Sequence, residues 1–196
     1  MKITILAIMT LILTACGRDG YYAVPVPGPT ITVTVTVPTD TKNITCEVFD
    51  LQGMNFNTLP DFDSLTPAGT IQLGAFDSYV TNNTKPFQPF VGTPYASMVE
   101  YFGMDCTSKI KAPVDGSYTF SVTSDDATKL YIDGRQVIDN DNQHGMQTRT
   151  GNLYLKAGLH KIRLGYQQGN SDKGLYMVWT VPGGVSTLVD EDSFSL

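Results

Sequence analysis

From Gly116 to Trp179 apolar residues recur at every second position, in short runs broken by turn residues. Tyr118, Phe120 and Val122 alternate with Ser117, Thr119, Ser121 and Thr123, the two-residue period of a strand with one face in a core. Leu130-Tyr131-Ile132 and Arg135-Gln136-Val137-Ile138 flank Asp133-Gly134. That pair readily takes the positive φ angles of a type I′ turn, so the segment predicts a β-hairpin. Leu153 and Leu155, then the turn residues Ala157-Gly158, then Ile162, Leu164 and Tyr166 repeat the pattern and predict another hairpin. Leu175, Met177 and Trp179 share one face of a last long strand, which Pro182-Gly183-Gly184 ends. No segment holds a helical period over three turns, and the chain reads as all-β, an antiparallel β-sandwich.

The first half of this module is harder to read. From Cys46 to Lys111, Phe, Pro, Asn and Asp fall in short clusters, and Tyr95 to Phe102 (YASMVEYF) is apolar enough to predict a buried strand. Residues 17–41 (GRDGYYAVPVPGPTITVTVTVPTDT) combine closely spaced Pro with a Thr/Val alternation, and Pro favours an extended, solvated chain. A strand of Ile31, Val33, Val35 and Val37 is not stable alone, so residues 16–41 read as a tether, and any pairing they make is with a sheet edge. The ordered module is expected to run over residues 42–196, within the size of one domain. With 16% charged residues, 18 Gly, 11 Pro and ten Tyr, the composition fits a turn-rich β protein and not a charged helical bundle. The formal charge of −6 would repel a polyphosphate backbone, which argues against nucleic acid as a partner.

Residues 1–15 (MKITILAIMTLILTA) place one positive charge before an apolar run too short for a permanent span, the pattern of a signal peptide. Leu13-Thr14-Ala15-Cys16 resembles the lipobox of bacterial lipoproteins, which implies diacylation of Cys16 on sulfur. Two or three acyl chains give stable anchorage where one does not, at about 0.8 kcal/mol per buried methylene. Gly17 follows Cys16 where an Asp resembles the signal for inner-membrane retention, so the expected location is the outer membrane, facing periplasm or surface. Two cysteines then remain, Cys46 and Cys106. In an exported protein they are expected to form a disulfide, the alternative being two buried thiols.

The runs GSYTFSVTSDDATKLYIDGRQVIDND, LYLKAGLHKIRLGYQQG and LYMVWTVPG resemble the PA14 module, a β-sandwich named after anthrax protective antigen and also found in yeast flocculin-type and bacterial adhesins. The landmarks stand in the family's order: Gly116, Tyr118 and Phe120, then Ser124-Asp125-Asp126, then Asp133-Gly134, then Gly158 and His160, then Trp179. Most of these are structural positions. His160, beside the Ala157-Gly158 turn, is expected to make a structural hydrogen bond, and His144, in the polar run DNDNQHGMQ, reads as a solvated loop residue.

What the resemblance implies about function centres on Asp125 and Asp126. In the family's lectins the adjacent pair, joined by a cis peptide, binds one Ca²⁺ that holds vicinal sugar hydroxyls. Calcium takes six to eight oxygen ligands, and the resemblance implies that the rest come from the loop Gln167–Lys173, where Asn170 and Asp172 offer side-chain oxygens. The expected cofactor is therefore Ca²⁺ and the expected partner a carbohydrate or cell-surface glycan, for adhesion or glycan recognition. The alternative is a structural or protein-interaction module without calcium, in which the Asp pair braces a turn through backbone amides. No His-Glu-x-x-His, Gly-x-Ser-x-Gly, phosphate-loop or Cys-x-x-Cys motif is present, and position marks none of the 19 carboxylates as an acid/base pair, so catalysis is not expected.

If Cys16 carries the lipid, Cys16→Ser moves the protein from the detergent-extracted membrane fraction to the soluble fraction. An unchanged distribution removes the anchor.

Overall fold

The computed structural model describes residues 42–54, 57–81 and 84–196. The signal peptide, Cys16 and the tether at 16–41 lie outside the described residues. The strands are β1 (Ile44–Asp50), β2 (Gly69–Leu73), β3 (Asp77–Val80), β4 (Phe102–Ala112), β5 (Gly116–Asp125) and β6 (Thr128–Ile132). They continue with β7 (Arg135–Asn140), β8 (Gln147–Leu155), β9 (Gly158–Gln168), β10 (Lys173–Thr180), β11 (Ser186–Leu188) and β12 (Phe194–Ser195).

The alternation in β5 does what its period requires. Tyr118, Phe120 and Val122 are fully buried, while Thr119, Ser121 and Thr123 point outward and pair their side chains with Asn152, Thr150 and Thr148 of β8. β5 lies between β10 and β8 in a five-stranded sheet ordered β11-β10-β5-β8, with β3 also on β10. The facing seven-stranded sheet runs β2-β1-β4-β9-β6-β7, with β12 on β4. All pairings among the described residues are antiparallel. The inner faces meet in one core: Tyr118, Phe120 and Trp179 cluster in the five-stranded sheet, and Phe102, Tyr166 and Phe87 in or beside the other. This is the all-β antiparallel sandwich expected from the sequence.

The Asp133-Gly134 hairpin between β6 and β7 is present, with φ of 48° and 77°, both in the left-handed region that a type I′ turn needs. The hairpin expected across Ala157-Gly158 is not. β8 pairs with β5, whereas β9 pairs with β4 and β6, so the chain changes sheets at this turn. Inward-facing Leu153, Leu155, Ile162 and Leu164 alternate identically in either arrangement, because both sheets face one core. The strand expected at Tyr95–Phe102 is also absent: the segment is a run of turns, with Met98 N donating to the Tyr95 carbonyl, and β4 begins only at Phe102. Tyr101 has φ 54°, which breaks extension, and the segment is apolar because Tyr95 and Met98 pack on the core from loops.

Cys46 and Cys106 form the expected disulfide, as direct cross-strand neighbours on β1 and β4 with Cα atoms 3.9 Å apart. The bond closes a loop of 60 residues that holds the least regular part of the domain. In the loop-entropy account such closure contributes about 4 kcal/mol. The Cys46→Ala/Cys106→Ala double variant is therefore expected to lose stability of that order in a denaturant titration, and an unchanged midpoint would show that the bond does not anchor this region.

Candidate functional site

β5 belongs to one sheet and β6 to the other, so the short link Asp126-Ala127 is a crossover between sheets. The β7–β8 loop (141–146) and the β9–β10 loop (169–172) cross between the same sheets. Main-chain groups in such links leave the ladder and need other partners. Asp126 supplies them: its Oδ1 accepts from the main-chain N–H of His144 at 3.0 Å and its Oδ2 from that of Gly169 at 2.7 Å. One carboxylate thus joins three crossovers. Gly169 accommodates this approach, since a Cβ there would stand 3.1 Å from Asp126 Oδ2.

Asp125, one residue earlier and joined to Asp126 by a cis peptide, is placed differently. Its main-chain carbonyl accepts from the buried Tyr166 hydroxyl at 2.6 Å, but its carboxylate accepts no hydrogen bond among the described residues. The residue is only 7% exposed. Burial, together with the Asp126 and Asp172 carboxylates, pushes its pKa up to about 6, against the opposing pull of His144 and Lys173. Burial also raises Asp126, and the two N–H bonds from Gly169 and His144 hold that rise back. A buried carboxylate that lacks a donor is costly in its charged form.

Asp172 reaches this site through its field on Asp125, and its carbonyl accepts from Gln168 Nε2 at 2.8 Å. Asn170 is exposed, with its amide 3.4 Å from the Tyr101 hydroxyl. The described residues contain no group of three His, Cys, Asp or Glu side chains already gathered as a metal cluster. The structure therefore brings Asp125 and Asp126 together and keeps Asn170 and Asp172 on the adjoining loop, Asn170 with its amide toward Tyr101 and Asp172 with its charge felt at Asp125.

The site also contains residues that sequence reasoning did not assign to it. Lys173, at the start of β10, is fully buried, and burial lowers its pKa against the attraction of Glu100, Asp172 and Asp125. His144 is not the solvated loop residue expected. It is half-buried, and its ring nitrogens face the Gly145 carbonyl at 2.7 Å and the Asn140 carbonyl at 3.0 Å, which fixes the loop that donates to Asp126. The polar run around His144 was visible in the sequence, but the donor is a main-chain N–H, to which side-chain identity gives no clue. His160 does take the structural role expected, between Asp133 Oδ2 at 2.6 Å and the Lys156 carbonyl at 2.7 Å.

Fold and site together define a class: a two-sheet antiparallel sandwich with a buried acid pair where three sheet-crossing loops meet. The chain belongs to the PA14 domain family, whose model matches residues 91–193. Among solved structures it is similar to the PA14 domain of the MpAFP antifreeze protein, with 17% identity and TM-score 0.64 over 82% of this chain and 95% of that one. It is also similar to the PA14 sugar-binding domain from an RTX adhesin, with 17% identity and TM-score 0.62 over 79% and 98%. The Epithelial Adhesin 9 A domain from Candida glabrata, in complex with Galβ1-4GlcNAc, matches with 15% identity and TM-score 0.59 over 79% and 89%. These likenesses show a shared fold. A comparison with curated proteins finds no match.

The raised pKa of Asp125 fixes a sign. The folded state favours its protonated form, so the associated stability is fully present below about pH 4 and is lost as pH rises through about 6. Asp125→Asn, which keeps the shape and removes the charge, is expected to raise Tm at pH 7 in calcium-free buffer and to flatten the fall of Tm between pH 4 and 7. A lower Tm for the variant at pH 7 would mean that the charge has a partner.

Proposed function

We propose that this chain is a lipid-anchored, non-catalytic binding module of the bacterial outer membrane, which takes carbohydrate in a calcium-dependent manner for adhesion or glycan recognition. The observation that carries the reading is the carboxylate of buried Asp125, which accepts no hydrogen bond among the described residues, beside an Asp126 held by two main-chain donors. Hard oxygen donors, paired negative charge and a raised pKa form a donor set that a divalent cation satisfies. Asp125 and Asp126 would hold the ion, with Asp172 and Asn170 from the adjoining loop as further oxygen ligands. A bound Ca²⁺ would supply open coordination positions for vicinal hydroxyls. The sugar-binding RTX adhesin domain and the Candida glabrata adhesin in complex with Galβ1-4GlcNAc, which share this fold, support carbohydrate as the ligand class.

A second reading has its own observation. Both oxygens of Asp126 are already used on main-chain amides, as they would be in a structural or protein-interaction module where the pair is only a brace. The two readings separate through Asp125, whose side chain braces nothing among the described residues. Under the calcium reading, millimolar CaCl₂ raises the parent's Tm by linkage, and Asp125→Asn loses that rise while keeping its fold. If calcium leaves the parent's Tm unchanged, the interaction-module reading replaces the lectin.

A further inference from the structure

Three aligned positions join the acid pair to an exposed apolar surface. Gly174 of β10 is the direct cross-strand partner of Asp125 on β5 and of Tyr79 on β3. Residues directly opposite in an antiparallel pair project on the same face, so Tyr79 and Asp125 share one face of the sheet, roughly 10 Å apart across two strand spacings. The intervening residue, a glycine, places no side chain of its own between them, and the Met146 thioether fills that space. The space above Gly174 is already taken by the neighbours: an added Cβ would lie 2.7 Å from Met146 Sδ and 2.9 Å from Tyr79 Cδ2. The Tyr79 ring and the Met146 thioether therefore lie down over Gly174, at the edge of the acid pair.

Both side chains are open to solvent, Tyr79 at 42% and Met146 at 38% exposure, and neither belongs to the core. Binding sites for small polar ligands combine a few fixed polar groups with aromatic and apolar walls. A sugar ring presents those two sides itself, hydroxyls at its rim and C–H groups on its face. The carboxylate of Asp125 is the polar group here, on a residue only 7% exposed and with no hydrogen bond among the described residues. The rigid, flat ring of Tyr79 and the polarizable sulfur of Met146 suit a C–H face.

We propose that Tyr79, backed by Met146, is the stacking shelf for the sugar held at Asp125 and Asp126, and that Gly174 lets the aromatic ring lie close enough to the sheet to serve it. The ligand class is a neutral pyranose with a vicinal diol at one edge and an unbroken C–H face. This inference rests on the glycan reading above and adds to it a specificity-determining residue outside the metal site.

The test uses the module with Tyr79→Ala, Tyr79→Trp and Gly174→Ala, and methyl glycosides of galactose, mannose, glucose and N-acetylglucosamine as probes in millimolar CaCl₂. Tyr79→Ala is expected to weaken the glycoside that binds the parent at least tenfold, with the calcium-induced rise in Tm equal to that of the parent. Tyr79→Trp retains binding, and saturation transfer from the parent's aromatic protons falls mainly on the sugar's C–H face. Gly174→Ala, which displaces the ring, weakens binding as Tyr79→Ala does. If Tyr79→Ala binds the glycoside as tightly as the parent, the shelf is wrong and the glycan reading stands. If Tyr79→Ala also loses the calcium response, Tyr79 is a structural residue and the shelf is overturned. If the parent binds none of the four sugars, the glycan reading itself fails and the shelf falls with it.

Discussion

Each time this chain leaves one sheet for the other, its main-chain polar groups leave the ladder and must find partners. Both ends of the sandwich solve that problem with a carboxylate. At one end Asp115, between β4 and β5, accepts from the main-chain N–H of Ala157 at 2.8 Å in the β8–β9 crossover, and Lys156 of the same turn pairs with it at 2.8 Å. At the other end Asp126 accepts from His144 and Gly169, in two further crossovers. The two ends differ in burial. Asp115 is open to solvent and has a cationic partner that lowers its pKa, whereas Asp126 is 4% exposed and its pKa is raised. An exposed pair of that kind contributes little beyond local order, so the demanding end of the sandwich is the one that carries the acid pair.

That end is also where the core reaches the surface. Tyr166 is fully buried, its ring stacked on Phe87 at 5.6 Å, and a buried hydroxyl needs a partner. It finds the Asp125 carbonyl at 2.6 Å and Gln168 Oε1 at 2.9 Å. The main chain of Asp125 is thereby fixed from the facing sheet, while Asp126 is fixed by the loops. The Asp125 carboxylate is left without a hydrogen bond among the described residues, in the neighbourhood of the buried Lys173 and of half-buried His144. A site preorganised on two rigid sheets, with one carboxylate left over, differs from a turn that uses both of its acids.

How far the sequence was legible follows the same division. Tyr118, Phe120 and Val122 announced β5 because one face of that strand is core and the other is water, and Asp133-Gly134 announced its hairpin through φ angles that few other pairs adopt. Ala157-Gly158 did not announce a crossover, because inward alternation is identical whether the next strand pairs beside β8 or across the core. The Tyr95–Phe102 run misled because apolar side chains can be buried from turns. The acid pair was legible as a motif, but its supports were not: the N–H groups of His144 and Gly169 belong to the main chain, and Tyr79 lies on a four-residue strand, β3, too short for its period to stand out.

The division between brace and free acid also bears on how binding and stability are coupled. A ligand that held Asp126 would use lone pairs beside those that already accept from His144 and Gly169, and so would bear on the joints between the sheets. One that engaged Asp125 first would relieve a buried charge and leave those joints intact. Of the two carboxylates, only Asp125 offers oxygens that cost the fold nothing to redirect. Recognition built outward from that residue meets Gly174 and then Tyr79 on the same face, so the polar and apolar halves of the site are set by the register of three adjacent strands rather than by loop conformation alone. Loops then tune the ligand set, and the sheet fixes the distance over which a ligand must offer hydroxyls at one end and a C–H face at the other.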